Sequence, residues 1–223
     1  PQFVDFNADG YIDIVTGTFD GSPHVAFGTE NGFDQPSHIL DADGDRMLIG
    51  QWWCYDNERW ESGKDQCISA AAFDWDDDGD YDLLLGDYRK GHLYLRENAG
   101  TNAEPKFSTE NVAIEMGDGT PFAVEGGMSA PRLVDWDGDG LTDIVTGGMK
   151  GGVFFYRNTG EAGAPAFAAP TTLIENGKAR DDAGKCPTEG CYVEAADYDG
   201  DGDLDLLVGG YASWQPTPRE LTE

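Results

Sequence analysis

The sequence carries one acidic pattern four times: DFNADGYID from Asp5, DWDDDGDYD from Asp74, DWDGDGLTD from Asp135 and DYDGDGDLD from Asp197. Each copy fits D-x-[DN]-x-D-G-x-x-D and runs directly into an apolar stretch ending in Gly: IVTG, LLLG, IVTG and LLVG. Successive copies begin 69, 61 and 62 residues apart. A single match is unsurprising in a chain with 43 Asp and Glu, but four in register are a repeat. A repeat of this length constrains the fold more than any composition figure does.

The pattern has a chemical reading. A hard divalent cation takes six to eight oxygen ligands at short range. Carboxylates at loop positions 1, 3 and 5 converge on one point if the chain curls around it, and Gly at position 6 permits the sharp turn. The side-chain ligands are then Asp5, Asn7, Asp9 and Asp13 in the first loop, and Asp74, Asp76, Asp78 and Asp82 in the second. In the third they are Asp135, Asp137, Asp139 and Asp143, and in the fourth Asp197, Asp199, Asp201 and Asp205. Position 7 offers its backbone carbonyl, so its side chain varies: Tyr11, Asp80, Leu141 and Asp203. An all-oxygen donor set favours Ca²⁺ over zinc or copper, with about four ions expected. The first loop has Asn7 in place of an Asp and is expected to bind most weakly.

An EF-hand begins in the same way, but it needs a Glu at position 12 between two helices. Position 12 here is Thr16, Leu85, Thr146 and Val208, and the flanks are β-branched and aliphatic runs. The loops therefore join strands. The plainer reading is that they are solvated hairpin turns. A bare turn has no need for several like charges a few ångströms apart.

The repeat extends beyond the loop. LYLRENAGTNAEPKF at 93–107 aligns without a gap with VFFYRNTGEAGAPAF at 153–167, each an apolar run followed by Asn-x-Gly and Pro-x-Phe. A unit of about 60 residues then holds four strands. In the second unit the strands are expected at 68–74, 82–88, 92–97 and 107–115, and in the third at 129–136, 142–148, 152–157 and 167–175. The fold class is all-β, a β-propeller of four-stranded antiparallel blades. Blades fall at about 1–48, 67–116, 128–176 and 191–223, with insertions at 49–66 and 177–190, within one segment, 1–223.

The Asp loop, the Gly-[Asp/Gly]-x step after the second strand and the Asn-x-Gly…Pro-x-Phe tail resemble FG-GAP repeats, also called VCBS repeats. This blade type builds integrin α-subunit heads, many secreted bacterial proteins and some fungal lectins. The resemblance implies that the loop joins the first two strands of a blade. It also implies that positions 1, 3, 5 and 9 bind Ca²⁺ through side chains and position 7 through its carbonyl. Propellers of the family usually close with six to eight blades, so about three and a half blades are expected to belong to a larger ring. The remaining strands would come from the same longer polypeptide or a neighbouring subunit.

The formal charge of −29 excludes nucleic acid as a natural partner, because phosphate binding needs clustered Lys and Arg and only 14 are present. Four Ca²⁺ would leave about −21, so folding is expected to depend on the metal. No apolar run is long enough to predict a membrane span. The four cysteines lie in or beside the insertions. Cys54–Cys67 and Cys186–Cys191 are expected as local disulfides, and a four-thiolate zinc site is the alternative. Disulfides with calcium loops predict an extracellular or cell-surface location, with the periplasm as the alternative.

Function is expected in the insertions. Trp52, Trp53, Tyr55 and Trp60 crowd into nine residues, as suits stacking on sugar rings or on a protein partner, or simple packing against the blade. DADGD at 41–45 resembles a metal loop but has Ile49 at position 9, so it is read as an acidic turn. There is no G-x-S-x-G and no H-E-x-x-H. His24, His38 and His92 are isolated in sequence, and no catalytic residues are assigned. The expectation is a calcium-binding module for adhesion or for a glycan or protein ligand. The alternatives are the propeller part of a secreted polysaccharide-acting enzyme and a structural subunit of a surface assembly.

Overall fold

Short β-branched and aliphatic runs alternate with Gly- and Asp-rich turns, and no run has a helical period; among the described residues there is no helix. The computed structural model describes residues 1–49, 52–54, 59–61, 67–127, 129–177 and 189–211. The chain folds into successive antiparallel sheets, each wound as a simple meander.

The first sheet contains β1 (Gln2–Val4), β2 (Asp13–Gly17) and β3 (Pro23–Ala26). A small ribbon of β4 (Gly28–Thr29) and β5 (Gly32–Phe33) follows, and β6 (Ser37–His38) completes the sheet beside β3. Within the first insertion β7 (Trp52–Cys54) pairs with β8 (Arg59–Glu61), setting Trp53 opposite Trp60 along the backbone. The second sheet is β9 (Cys67–Phe73), β10 (Asp82–Asp87), β11 (Leu93–Arg96) and β12 (Val112–Ala113). The third is β13 (Arg132–Val134), β14 (Asp143–Gly147), β15 (Val153–Tyr156) and β16 (Thr171–Ile174). A two-stranded sheet of β17 (Glu189–Ala196) and β18 (Asp205–Tyr211) follows. Three four-stranded up-and-down sheets in series, each opening on the same loop, make the all-β, propeller-type blade architecture.

The sheets stack face against face, and the cores lie between them. Val15, Val25, Phe6, Ile39, Met47 and Ile49 of the first meet Ala70, Ala72, Leu83, Leu85 and Phe107 of the second. The other face of the second, with Leu84, Leu93 and Leu95, meets Ile144, Tyr156 and Phe167 of the third. Val145 and Val153 of the third meet Cys191 and Val193. Alternation along β10 thus feeds two cores: Leu83 and Leu85 point one way and Leu84 the other, all essentially buried. In the second and third sheets the Gly near the end of the second strand has a packing reason. A Cβ on Gly147 would sit 2.0 Å from the Cys191 carbonyl oxygen, and one on Gly86 2.3 Å from that of Ser129. These glycines let neighbouring backbones touch.

The fourth strands are shorter than the expected 107–115 and 167–175, because Phe107 and Phe167 form isolated bridges to Asn98 and Asn158 instead of entering the sheet. Side chains add to a few backbone bonds there: Asn98 Oδ1 accepts the Lys106 amide at 2.7 Å, and Asn158 Oδ1 the Ala166 amide at 3.1 Å, beside the Ser108-to-Glu97 and Ala168-to-Arg157 backbone bonds. Both phenyl rings are buried.

Candidate metal centres

All four acidic loops share one hydrogen-bond scheme. The position 1 carboxylate receives the amides of positions 5 and 6: Asp5 from Asp9 and Gly10, Asp74 from Asp78 and Gly79, Asp135 from Asp139 and Gly140, Asp197 from Asp201 and Gly202, all at 3.0–3.1 Å; Asp135 and Asp197 also receive Gly138 and Gly200. The position 5 carboxylate receives the position 7 amide, from Tyr11, Asp80, Leu141 or Asp203, at 2.9–3.0 Å. The position 6 glycines have φ between 89° and 97°. Position 4 is left-handed as well, with Ala8 at 57°, Asp77 at 61°, Gly138 at 74° and Gly200 at 79°. The sequence pattern left this second demand unnoticed, because only two of the four loops place a glycine there.

The closing Asp of position 9 has a larger role than completing a ligand set. Its Oδ2 accepts the position 2 amide: Asp13 from Phe6 at 2.8 Å, Asp82 from Trp75 at 2.9 Å, Asp143 from Trp136 and Asp205 from Tyr198 at 3.0 Å. Its Oδ1 accepts an amide from beyond the third strand: Gly28, Asn98 or Asn158, each at 2.7 Å. Asp13, Asp82 and Asp143 are buried. Burial pushes the Asp82 carboxyl up to about 6, with the Asn98 and Trp75 amides pulling the other way. Burial raises Asp143 for the same reason.

The Asn-x-Gly…Pro-x-Phe tail belongs to this assembly. Asn98 donates to the Tyr81 carbonyl at 3.3 Å and accepts the Gly100 amide, and Asn158 donates to Thr142 and accepts Gly160 in the same way. The aromatic residue at loop position 2 then meets the tail phenyl of the next sheet. Phe6 stacks on Phe107 with centroids 6.1 Å apart, and Trp75 lies 6.2 Å from Phe167. The first and second loops are thereby braced by their own blade and by the next one. The repeat alignment contained both signals, a shared Asn and a shared Phe, but not their partners.

Three of the loops gather carboxylates closely enough to share one cation. Donor oxygens of Asp74, Asp76 and Asp78, of Asp135, Asp137 and Asp143, and of Asp197, Asp199 and Asp205 lie within 4.8 Å of one another. In the first loop the Asn7 side-chain amide donates to Asp9 Oδ2 at 3.0 Å, so a donor faces a carboxylate where the other loops place an acid. In the third, Arg157 reaches Asp137 Oδ2 at 2.7 Å and Asp139 Oδ2 at 2.9 Å, and it holds the Asp139 carboxyl below the ordinary range. The donor set fits a hard cation: each carboxylate oxygen that accepts one amide keeps a second lone pair. The second loop adds an orphan acceptor. Asp80 Oδ1 is buried and has no hydrogen-bond partner. Burial and the charges of Asp78 and Asp76 raise this carboxyl.

The turn at 41–45 closes on itself. Asp41 Oδ1 accepts the Asp43 and Asp45 amides, and Ile49 is buried in the core. The side chains of Trp52, Trp53, Tyr55 and Trp60 lie outside the described residues, as do those of Cys54, Cys67 and Cys186; Cys191 is buried between the last two sheets. Among the described residues no helix is long and apolar enough to cross a membrane.

Serial four-stranded meanders, each opening on the same braced acidic loop, define a repeat protein of propeller-type blades. Residues 135–208, from the third loop through the fourth, match the family model described as FG-GAP-like repeat. That stretch is FG-GAP-like sequence, and the first two loops repeat its pattern. Among solved structures, the chain is similar to a chain in the structure of a Photorhabdus luminescens Tc holotoxin pore carrying a TccC3-D651A mutation. The identity is 18%, with 93% of this chain and 8% of that chain covered and a TM-score of 0.42. No curated protein sequence matches the chain.

Proposed function

We propose that the chain is a calcium-binding extracellular module whose blades present a surface to a glycan or protein ligand, with Ca²⁺ in a structural role. One observation carries the reading: the same hydrogen-bonded carboxylate loop is built four times, at the same place in each blade. The position 1, 3, 5 and 9 side chains of each loop would hold the ion, and Ca²⁺ would supply the positive charge that such clustered acids lack. Binding a cation to the folded state alone stabilises that state by mass action. The ligand surface is assigned to the insertion at 49–66, whose aromatic content suits stacking. Calcium loops and cysteines beside the insertions support an extracellular or cell-surface setting.

Calorimetric titration of the chelated protein with Ca²⁺, paired with thermal melts, tests the metal. About four ions and a large rise in melting temperature are expected; no binding, or binding without stabilisation, overturns the reading. The ligand surface is tested on a glycan and protein-ligand array with Ca²⁺, using wild type and a Trp52/Trp53/Trp60→Ala variant. Binding lost in a variant that still melts normally supports the assignment, and binding kept by it moves the surface elsewhere.

A further inference from the structure

Outside the acidic loops, the first sheet brings together residues that the sequence keeps apart. His24 on β3 and His38 on β6 are register partners, with ring centroids 4.2 Å apart. Asp20, in the turn before β3, directs one oxygen at both rings: its Oδ2 lies 3.1 Å from His38 Nε2 and 3.8 Å from His24 Nε2. Donor atoms of all three residues lie within 4.8 Å of one another, and all three side chains are partly buried.

We propose that Asp20, His24 and His38 form a transition-metal site of the zinc class, with an open position towards solvent. Zinc binds imidazole nitrogen and carboxylate oxygen at about 2.0–2.2 Å in tetrahedral geometry, which puts neighbouring donors about 3.3–3.5 Å apart. The two measured separations, 3.1 and 3.8 Å, straddle that value. Both imidazoles therefore come to one carboxylate oxygen, His38 Nε2 within hydrogen-bond distance and His24 Nε2 just beyond it. Imidazole donors also separate this site from the all-oxygen loops, since nitrogen favours zinc, copper or nickel over Ca²⁺.

The surroundings support the donors as an outer shell does. His24 Nδ1 lies 3.3 Å from the Ser22 carbonyl oxygen; a proton there leaves the lone pair on Nε2. Asp20 Oδ1 accepts the Thr18 hydroxyl, the Ser22 hydroxyl at 2.8 Å and the Ser22 amide at 3.0 Å, which leaves Oδ2 to face the rings. One group opposes a metal. Arg46 Nη2 lies 2.6 Å from Oδ2 and 3.2 Å from the Ser22 hydroxyl. Its guanidinium neutralises the carboxylate in the metal-free site and must release that oxygen when a cation arrives. Its side chain is 43% exposed, so water receives it readily.

Zn²⁺ titration of the full chain in saturating Ca²⁺, with Co²⁺ absorption as the coordination readout, tests the site. One Zn²⁺ equivalent is expected, with intense Co²⁺ bands of low coordination number. His24→Ala and His38→Gln should each weaken binding by more than the about 10–100-fold that loss of an outer-shell partner costs. Arg46→Gln should tighten binding several-fold, which a purely structural ion-pair cluster does not predict. Melts in Ca²⁺ confirm that each variant folds, and His38→Gln, on a two-residue edge strand, keeps the test open if His24→Ala does not. Zn²⁺ binding that ignores both histidine changes, or no Zn²⁺ binding by folded wild type, overturns the proposal.

Discussion

The Asn98 amide donates to Asp82 Oδ1 at 2.7 Å, joining the end of one repeat's third strand to the last residue of its acidic loop. Asn158 and Asp143 repeat the bond at the same length. Each Asn also receives two amides and donates to a carbonyl, so one side chain closes the loop, the tail turn and the strand end together. Asn98 and Asn158 are both buried.

Asn98→Ala and Asn158→Ala are therefore expected to destabilise the protein by about 1–3 kcal/mol each, because buried amides lose their acceptor. Urea unfolding in Ca²⁺ measures this. A change near zero in both would mean that water replaces the side chain and that the motif is not structural.

Position 4 of the loop gives the opposite sign. Ala8 holds φ 57°, a conformation that costs an ordinary side chain and not glycine. Ala8→Gly is expected to stabilise the folded loop, the gain being reduced by the greater freedom of glycine in the unfolded chain. A net gain of up to about 1 kcal/mol should appear in Ca²⁺ melts. Asp77→Gly should gain less, as Asp tolerates this region better.

Two local features set the order of metal affinity. The Asn7 amide faces Asp9, and Arg157 occupies two carboxylates of the third loop. Asn7→Asp should tighten the first loop, and Arg157→Ala the third, each by a few-fold. Site-resolved Ca²⁺ titration by NMR checks both. If Arg157→Ala changes nothing, the exposed guanidinium yields to the ion at no cost, as weak surface ion pairs do.

In chelator, stability should fall as pH rises from about 4 to 7. The Asp82 carboxyl stands at about 6 when folded against an ordinary value of 3.8, so the folded state holds the extra proton between those values. Its contribution is complete below the unfolded value and is lost as pH rises through the folded one. Mutual repulsion within a chain of −29 acts in the same direction. With Ca²⁺ bound, ionised carboxylates are needed, and the slope should reverse. Melts across pH in EDTA and in Ca²⁺ compare the two, and parallel slopes would exclude a role for these acids in binding.

The loops, their joining of first and second strands and the all-β meander were legible because local chemistry repeats. Asp-x-Asp-x-Asp-Gly defines a turn through its own hydrogen bonds, and alternating apolar residues define strands without reference to anything distant. The tail motif is visible as an alignment, but its aromatic, Phe107 or Phe167, forms an isolated bridge ahead of the fourth strand, which periodicity does not distinguish from the strand itself. The bridging Asn acts through its side chain, which strand periodicity does not report.

Tertiary structure alone decided which distant residues meet. Phe6 on Phe107 and Trp75 near Phe167 exist only because one sheet stacks on the next. His24 and His38, isolated in the sequence, become neighbours through the pairing of β3 with β6, and Asp20 joins them from a turn. Sequence by itself determined the four acidic loops and the strand-rich repeat, because short-range hydrogen bonding and polarity specify both. The contacts between blades and the histidine cluster were left to the packed chain, since strand pairing and sheet stacking join residues that no local pattern connects.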